Sequence, residues 1–257
     1  MMFDTHTHTL PFSTDSHMQL ADLRKAQQEK DLGIILTEHI DIAFGDPSQF
    51  YFDPEDYFRQ LRPFRNDRLL LGVEIGMTAD TNERNREIVR SHPFDMVIGS
   101  IHFMRGKDIY YPEFFSMFPG KEAVFSEYLD TMAEMIENYD DFDTLGHMDY
   151  IGRVAPYDDP LLYYEDYPDR IDRILGLLIK NDKCLEINTR QFDKPQAVAA
   201  LKTICQRYQA LGGRYVTIGS DAHYPAVVGA YLAEAYTLAG ECGLSPVVYR
   251  NRQRCIL

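Results

Sequence analysis

Short apolar runs alternate with amphipathic stretches along almost the whole chain. Met2 to Thr5 reads as a strand, Leu20 to Lys30 as a helix, and Gly33 to Thr37 as a second strand entered from a glycine. Asp53-Pro54-Glu55 supplies an N-cap and a first-turn proline for a helix running to about Arg65, and Leu69 to Val73 follows as a strand. Helices are expected again over Glu83 to Arg90, Lys121 to Tyr139, Asp166 to Lys180, Pro195 to Leu211 and Ala226 to Glu241. Strands are expected over Asp95 to Ile101, Phe142 to Leu145, Cys184 to Ile187 and Tyr215 to Ile218. The count is about seven strand–helix units. Such alternation specifies a parallel sheet covered by helices.

The polar residues that interrupt this pattern sit at the strand ends. Six of the eight histidines fall in Asp4-Thr5-His6-Thr7-His8, Thr37-Glu38-His39, Gly99-Ser100-Ile101-His102, Gly146-His147-Met148-Asp149 and Gly219-Ser220-Asp221-Ala222-His223. Imidazole and carboxylate suit zinc, manganese and iron, so the pattern points to a site for more than one divalent ion and to metal-assisted hydrolysis. His6 and His8, two apart, face one side of a strand, as Asp221 and His223 do. Glu74 closes another apolar run and is placed to bridge two ions. Glu38, Asp149 and Asp4 adjoin ligands but point the other way if the strand continues, which makes them candidates for orienting imidazoles. Asp15 and His17 compete to complete the first ligand group, while His92, between a helix and a strand, reads as a surface residue. In a barrel, all strand ends meet around one face, whereas an open sheet strings them out in a line. A closed (β/α) barrel is therefore expected, with Phe44 to Phe52 and Phe103 to Gly120 as loops over the site.

Length and charge narrow this picture. At 257 residues and 45% hydrophobic content, one domain over residues 1–257 is expected. No apolar run approaches the roughly 18 residues of a membrane helix, and no basic, apolar leader opens the chain, so a cytoplasmic protein with no membrane partner is expected. The four cysteines form no Cys-x-x-Cys pair and read as reduced thiols. A net charge of −14 disfavours nucleic acid as a partner. A small anionic substrate remains compatible, because bound cations reverse the sign locally.

Together the motifs between residues 4 and 223 resemble the PHP family, named for polymerase and histidinol phosphatase. The resemblance implies a distorted seven-stranded (β/α) barrel of the TIM-barrel-like kind, with two or three divalent metal ions (zinc, manganese or iron). The implied ligands are His6, His8, Asp15, His39, Glu74, His102, His147, Asp221 and His223. Within the family, Thr37-Glu38-His39-Ile40-Asp41, Gly146-His147-Met148-Asp149-Tyr150-Ile151-Gly152-Arg153 and Leu185-Glu186-Ile187-Asn188-Thr189-Arg190 resemble the stand-alone bacterial histidinol phosphatases of histidine synthesis. Arg153 and Arg190 follow strand ends and suit phosphate, since a guanidinium grips two oxygens at once. The implied reaction is hydrolysis of a small phosphate monoester, L-histidinol phosphate first. Water activated at the metals and Glu74 attacks phosphorus, and Asp221 or His223 supplies the leaving group's proton. Glu38 or Asp41 is expected to face the substrate's ammonium or imidazole. Another phosphate ester or nucleotide, and a non-catalytic regulatory barrel, are the alternatives.

Overall fold

The computed structural model describes residues 1–46 and 48–257. Its strands are β1 (Phe3–Thr7), β2 (Gly33–Ile40), β3 (Leu69–Gly76), β4 (Val97–Ser100), β5 (Phe103–Met104), β6 (Lys107–Asp108), β7 (Thr144–Leu145), β8 (Cys184–Asn188), β9 (Tyr215–Gly219), β10 (Ser245–Arg250) and β11 (Gln253–Ile256). They are joined by helices α1 (Leu20–Glu29), α2 (Pro54–Leu61), α3 (Asn82–Ser91), α4 (Pro112–Phe115), α5 (Lys121–Asn138), α6 (Ile151–Val154), α7 (Pro168–Lys180), α8 (Pro195–Ala210) and α9 (Leu232–Glu241). Strands β1, β2, β3, β4, β7, β8 and β9 pair in that order, all parallel. The two edges then meet: His8 N donates to Ala222 O at 3.0 Å and Asp221 N to His6 O at 2.8 Å. The result is the expected distorted seven-stranded barrel.

Each wall strand alternates between two cores. Ile34, Leu36, Leu69, Leu71 and Val73 face the helices, while Ile35, Leu70, Ile98 and Cys184 face inward and fill the lower barrel. Burying each large apolar side chain contributes about 1.5–3 kcal/mol. Strand β1 departs from strict alternation. Its register against β2 advances three residues from Asp4 to Thr7 while β2 advances only from Ile34 to Leu36. This bulge switches the inward set from Phe3 below to His6 and His8 above.

The interior changes character upward because its residues become small and then polar. A Cβ at Gly219 would overlap the Cβ of His6, and one at Gly76 would overlap Asp41 Oδ1. Only glycine leaves these side chains room at the barrel's upper end.

Three departures from the sequence pattern have local causes. Asp53 caps α2 as expected, accepting from Glu55 N at 3.0 Å, but Pro63 turns the segment after Leu61 into a 3-10 turn. Helix α9 begins at Leu232 instead of Ala226. Gly229 takes a φ of +67° and donates its N–H to Asp4 Oδ2, which diverts the chain before the helix. A C-terminal hairpin, β10 and β11, also extends the sheet where the pattern shows no element. Its Val247, Val248 and Tyr249 pack against Phe3, Ile35 and Leu70 and plug the barrel floor. Asp95 and Asp143 hold it there, accepting from Asn251 N at 2.9 Å and Arg252 Nε at 2.5 Å respectively.

No helix among the described residues is long and apolar enough to cross a membrane. The four cysteines are unpaired.

Candidate metal centre

The upper ends of the barrel strands bring all six motif histidines into one cluster with Glu74 and Asp221 at its middle. Glu74, inward on β3 and fully buried, presents its two oxygens to different partners. Oε2 lies 3.1 Å from His6 Nε2, 3.1 Å from His39 Nδ1 and 3.6 Å from His8 Nε2. Oε1 lies 2.8 Å from His147 Nε2 and 3.4 Å from His102 Nε2, and accepts from Ser100 Oγ at 2.7 Å. Asp221 owes its position to a φ of +55°, a left-handed conformation that aspartate tolerates better than most residues. Its Oδ1 lies 3.4 Å from His8 Nε2 and 3.8 Å from His6 Nε2, and its Oδ2 accepts from Arg153 at 2.5 Å.

In His6, His8, His102 and His223 the ring nitrogen away from the centre is held by an acceptor, which decides the tautomer. A carboxylate can only accept, so His6 Nδ1 donates to Glu186 Oε1 at 2.7 Å and leaves its Nε2 lone pair facing the cluster. His102 Nδ1 does the same toward Asp41, 3.2 and 3.1 Å from its two oxygens. His223 Nδ1 donates to the Asp221 carbonyl at 2.9 Å. Ser13 Oγ donates to Glu38 Oε2 at 2.6 Å, so it can accept from His8 Nδ1 at 3.3 Å and from His39 N at 3.2 Å.

The cluster is incomplete without cations. His6 Nε2, His8 Nε2, both His39 ring nitrogens and Glu74 Oε2 are buried with no hydrogen-bond partner among the described residues. Each such atom costs about 1–3 kcal/mol if left unsatisfied, and a shared cation satisfies several together. Donor atoms of His6, His8 and Glu74 lie within 4.8 Å of one another, as do those of Glu74, His102 and His147, and those of His8, His39 and His223. The residues present therefore fit divalent metal ions.

Protonation among the protein groups alone shows the same demand for positive charge. Burial works against charged imidazoles, yet Glu186 and Glu74 raise His6 well above its usual range, and Asp41 with Glu74 lifts His102 to about 10. His8 moves the other way: burial lowers it, reinforced by His39 and His223. Burial raises the Asp15 carboxyl, but His39 and His223 outweigh it and hold the group below the ordinary range.

Asp15, not His17, joins the cluster: its Oδ2 lies 2.9 Å from His223 Nε2 and 3.7 Å from His39 Nε2. It stands with those residues, whose group also takes in His8. His17 is exposed and stacks on Tyr224, with ring centroids 4.6 Å apart. His92 is half-buried against Phe58, outside the cluster.

One of the two expected substrate contacts needs correction. Glu38 is fully buried beneath the site, with Thr9 N and Thr9 Oγ1 at 2.8 and 2.6 Å and Ser13 Oγ at 2.6 Å on its oxygens. It cannot face a substrate; it steadies His8 through Ser13, and burial pushes its carboxyl up to about 7 against those hydrogen bonds. Asp41 borders the cavity, and its two oxygens share the Nδ1–H of His102. Asp4 and Asp149, expected to orient imidazoles, reach none among the described residues. Asp4 anchors Ser220 N and Oγ at 2.8 and 2.5 Å, and Asp149 accepts from Gln191 at 3.0 Å.

Glu186 is the residue sequence reasoning passed over. Besides His6 it accepts from His147 N at 2.7 Å and Asn188 Nδ2 at 3.1 Å. Its signal was present: a carboxylate at the inward parity of an otherwise apolar strand, between Cys184 and Asn188.

A cavity of about 670 Å³ opens over the cluster. Arg153 and Arg190 border it; Arg190 donates to the Asp221 carbonyl at 2.7 Å, and Arg153 Nε is buried with no partner among the described residues. Both anticipated loops border it as well, through Phe44 and Phe50 on one and Asp108, Tyr110 and Tyr111 on the other, with residue 47 of the first outside the described residues.

Comparison with known proteins agrees with this geometry. The PHP domain model matches residues 4–190. A probable histidinol-phosphatase of Clostridium acetobutylicum is 42% identical over 252 residues, covering 98% of both chains. A probable histidinol-phosphatase of Thermotoga maritima is 31% identical, covering 91% of this chain and 89% of its own. The crystal structure of histidinol phosphate phosphatase from Lactococcus lactis, complexed with zinc, L-histidinol and phosphate, superimposes with a TM-score of 0.92 at 27% identity, covering 99% of this chain and 98% of that one. On its family match, its near full-length relative and its fold, this chain belongs to the PHP family.

Proposed function

We propose that this single-domain chain is a metal-dependent phosphomonoesterase that hydrolyses L-histidinol phosphate to L-histidinol and phosphate. The observation that carries the reading is Glu74: its two oxygens face two sets of imidazole nitrogens, the set at Oε2 lacking hydrogen-bond partners among the described residues, and two arginines stand at the same cavity. The substrate is suggested by the names of the relatives and by the ligands of the Lactococcus lactis structure.

Two or three divalent ions would be held by His6, His8, Glu74 and Asp221, by Glu74, His102 and His147, and by Asp15, His39 and His223. Zinc is the first candidate, with manganese or iron as alternatives. When bound, such ions acidify water and neutralise charge on the phosphoryl oxygens. The protein's own groups do the rest. Arg153 and Arg190 grip the remaining phosphoryl oxygens and aim the phosphorus at the cluster. As water oxygen bonds to phosphorus and the ester P–O bond breaks, the leaving alkoxide needs a proton. Asp221, which His6 and Arg153 hold ionised despite its burial, can take up the proton that the attacking water sheds and pass it to that oxygen, with His223 beside it at the cavity as the alternative carrier. Glu186, Asp41 and Ser13 keep the imidazoles oriented throughout.

The test is phosphate release by zinc- or manganese-loaded protein from L-histidinol phosphate, beside sugar phosphates, nucleotides and a phosphodiester. Strong preference for L-histidinol phosphate is expected. Turnover of another ester alone would discard the substrate and keep the metal chemistry, and no turnover by metal-replete protein would overturn the enzyme reading.

A further inference from the structure

The cations that border the cavity follow neighbouring strands, Arg153 after β7 and Arg190 and Lys194 after β8, with Asp193 beside Lys194. After β2 and β4 it is bordered by Phe44, Phe50, Tyr110 and Tyr111, and by Asp108 on the β5–β6 hairpin. Asp108 is half-buried and outside every candidate metal group. Its Oδ1 accepts from Tyr110 N at 2.8 Å, which fixes the carboxylate at the cavity wall, and among the described residues no lysine or arginine acts on it. The hairpin is itself tied to the cluster, since Ile109 N donates to the His102 carbonyl at 2.9 Å.

Resting on the phosphatase reading above, we propose that Asp108 is the specificity-determining residue that binds the positively charged organic end of the substrate. Phosphate goes to Arg153 and Arg190; a cationic, flat tail goes to Asp108 and the aromatic residues around it. The class selected is therefore phosphate monoesters with an ammonium or imidazolium group on the alcohol part. Tyr110 and Tyr111, exposed beside Asp108, add the face that cations and planar rings favour. Burial holds the Asp108 carboxyl above its ordinary range despite the Tyr110 amide and His102.

Asp108→Asn keeps the side-chain shape and the acceptor for Tyr110 while removing the charge. In metal-loaded protein it should raise KM for L-histidinol phosphate roughly 10- to 100-fold, the worth of one charge-assisted hydrogen bond, with kcat little changed. KM for glycerol 3-phosphate, a neutral-tailed ester, should stay within about twofold, and bound metal should be unchanged. Asp108→Glu should recover part of the loss. L-Histidinol alone, titrated calorimetrically into both metal-loaded proteins, gives a readout independent of turnover. It should bind the wild type and bind Asp108→Asn more weakly by the same factor. Equal binding by the two, no binding by the wild type, or an equal loss on both esters would overturn the assignment. Failure of the phosphatase reading would show separately, as absent hydrolysis by the wild type.

Discussion

Glu186→Gln isolates what an orienting carboxylate does for this centre. The glutamate offers one oxygen to each of two buried donors, His6 Nδ1–H at 2.7 Å and His147 N–H at 2.7 Å. Glutamine has the same shape but one acceptor; its amide nitrogen must then face one of those donors. One buried donor goes unsatisfied, at about 1–3 kcal/mol. A chain of this length loses roughly 2–4 °C of melting temperature per kcal/mol, so a fall of several degrees is expected. The larger consequence concerns His6. Without the carboxylate its tautomer is no longer enforced and Nε2 is less basic, so metal affinity should fall about 10- to 100-fold. Competition with a chromophoric chelator measures that affinity, and melting curves with and without EDTA separate the two effects. Metal affinity and activity both equal to wild type would refute the reasoning, because the His6–Glu186 contact would then not orient a ligand.

Glu74→Gln changes no core volume but replaces one of the two oxygens that face the imidazole sets; activity should fall by about two or more orders of magnitude with bound metal reduced, and near-normal turnover of a fully loaded variant would remove Glu74 from the site. Arg190→Ala should chiefly raise KM if the guanidinium grips phosphate; steady-state kinetics showing neither KM nor kcat altered would move the phosphate site elsewhere. Asp95→Ala, at the opposite end of the barrel, strips the partner from Arg65, 2.9 Å away at Nε, and from the amides of Leu71 and Asn251. It should cost about 3–5 kcal/mol in urea unfolding while leaving kcat unchanged in protein that is still folded. A loss below about 1 kcal/mol would show that the C-terminal hairpin is not anchored there.

Strand–helix alternation and the histidines closing the apolar runs were readable along the chain because both are local. A strand's inward face repeats every second residue, so His39, Glu74 and His102 declare their side by parity alone. The seven parallel strands and the ring of ligand-type residues follow from that. Parity fails where local geometry is overridden. The β1 bulge puts both Phe3 and His6 inside. The choice of partners is not local at all. Glu186 meets His6 across 180 residues and Asp41 meets His102 across 61, while Glu38, next to a ligand in sequence, turns away beneath the site. The sequence by itself determined which residue types line the upper end of the barrel. Only closing the barrel decided which carboxylate accepts from which imidazole, because those contacts cross the ring between strands whose order in space no local period encodes.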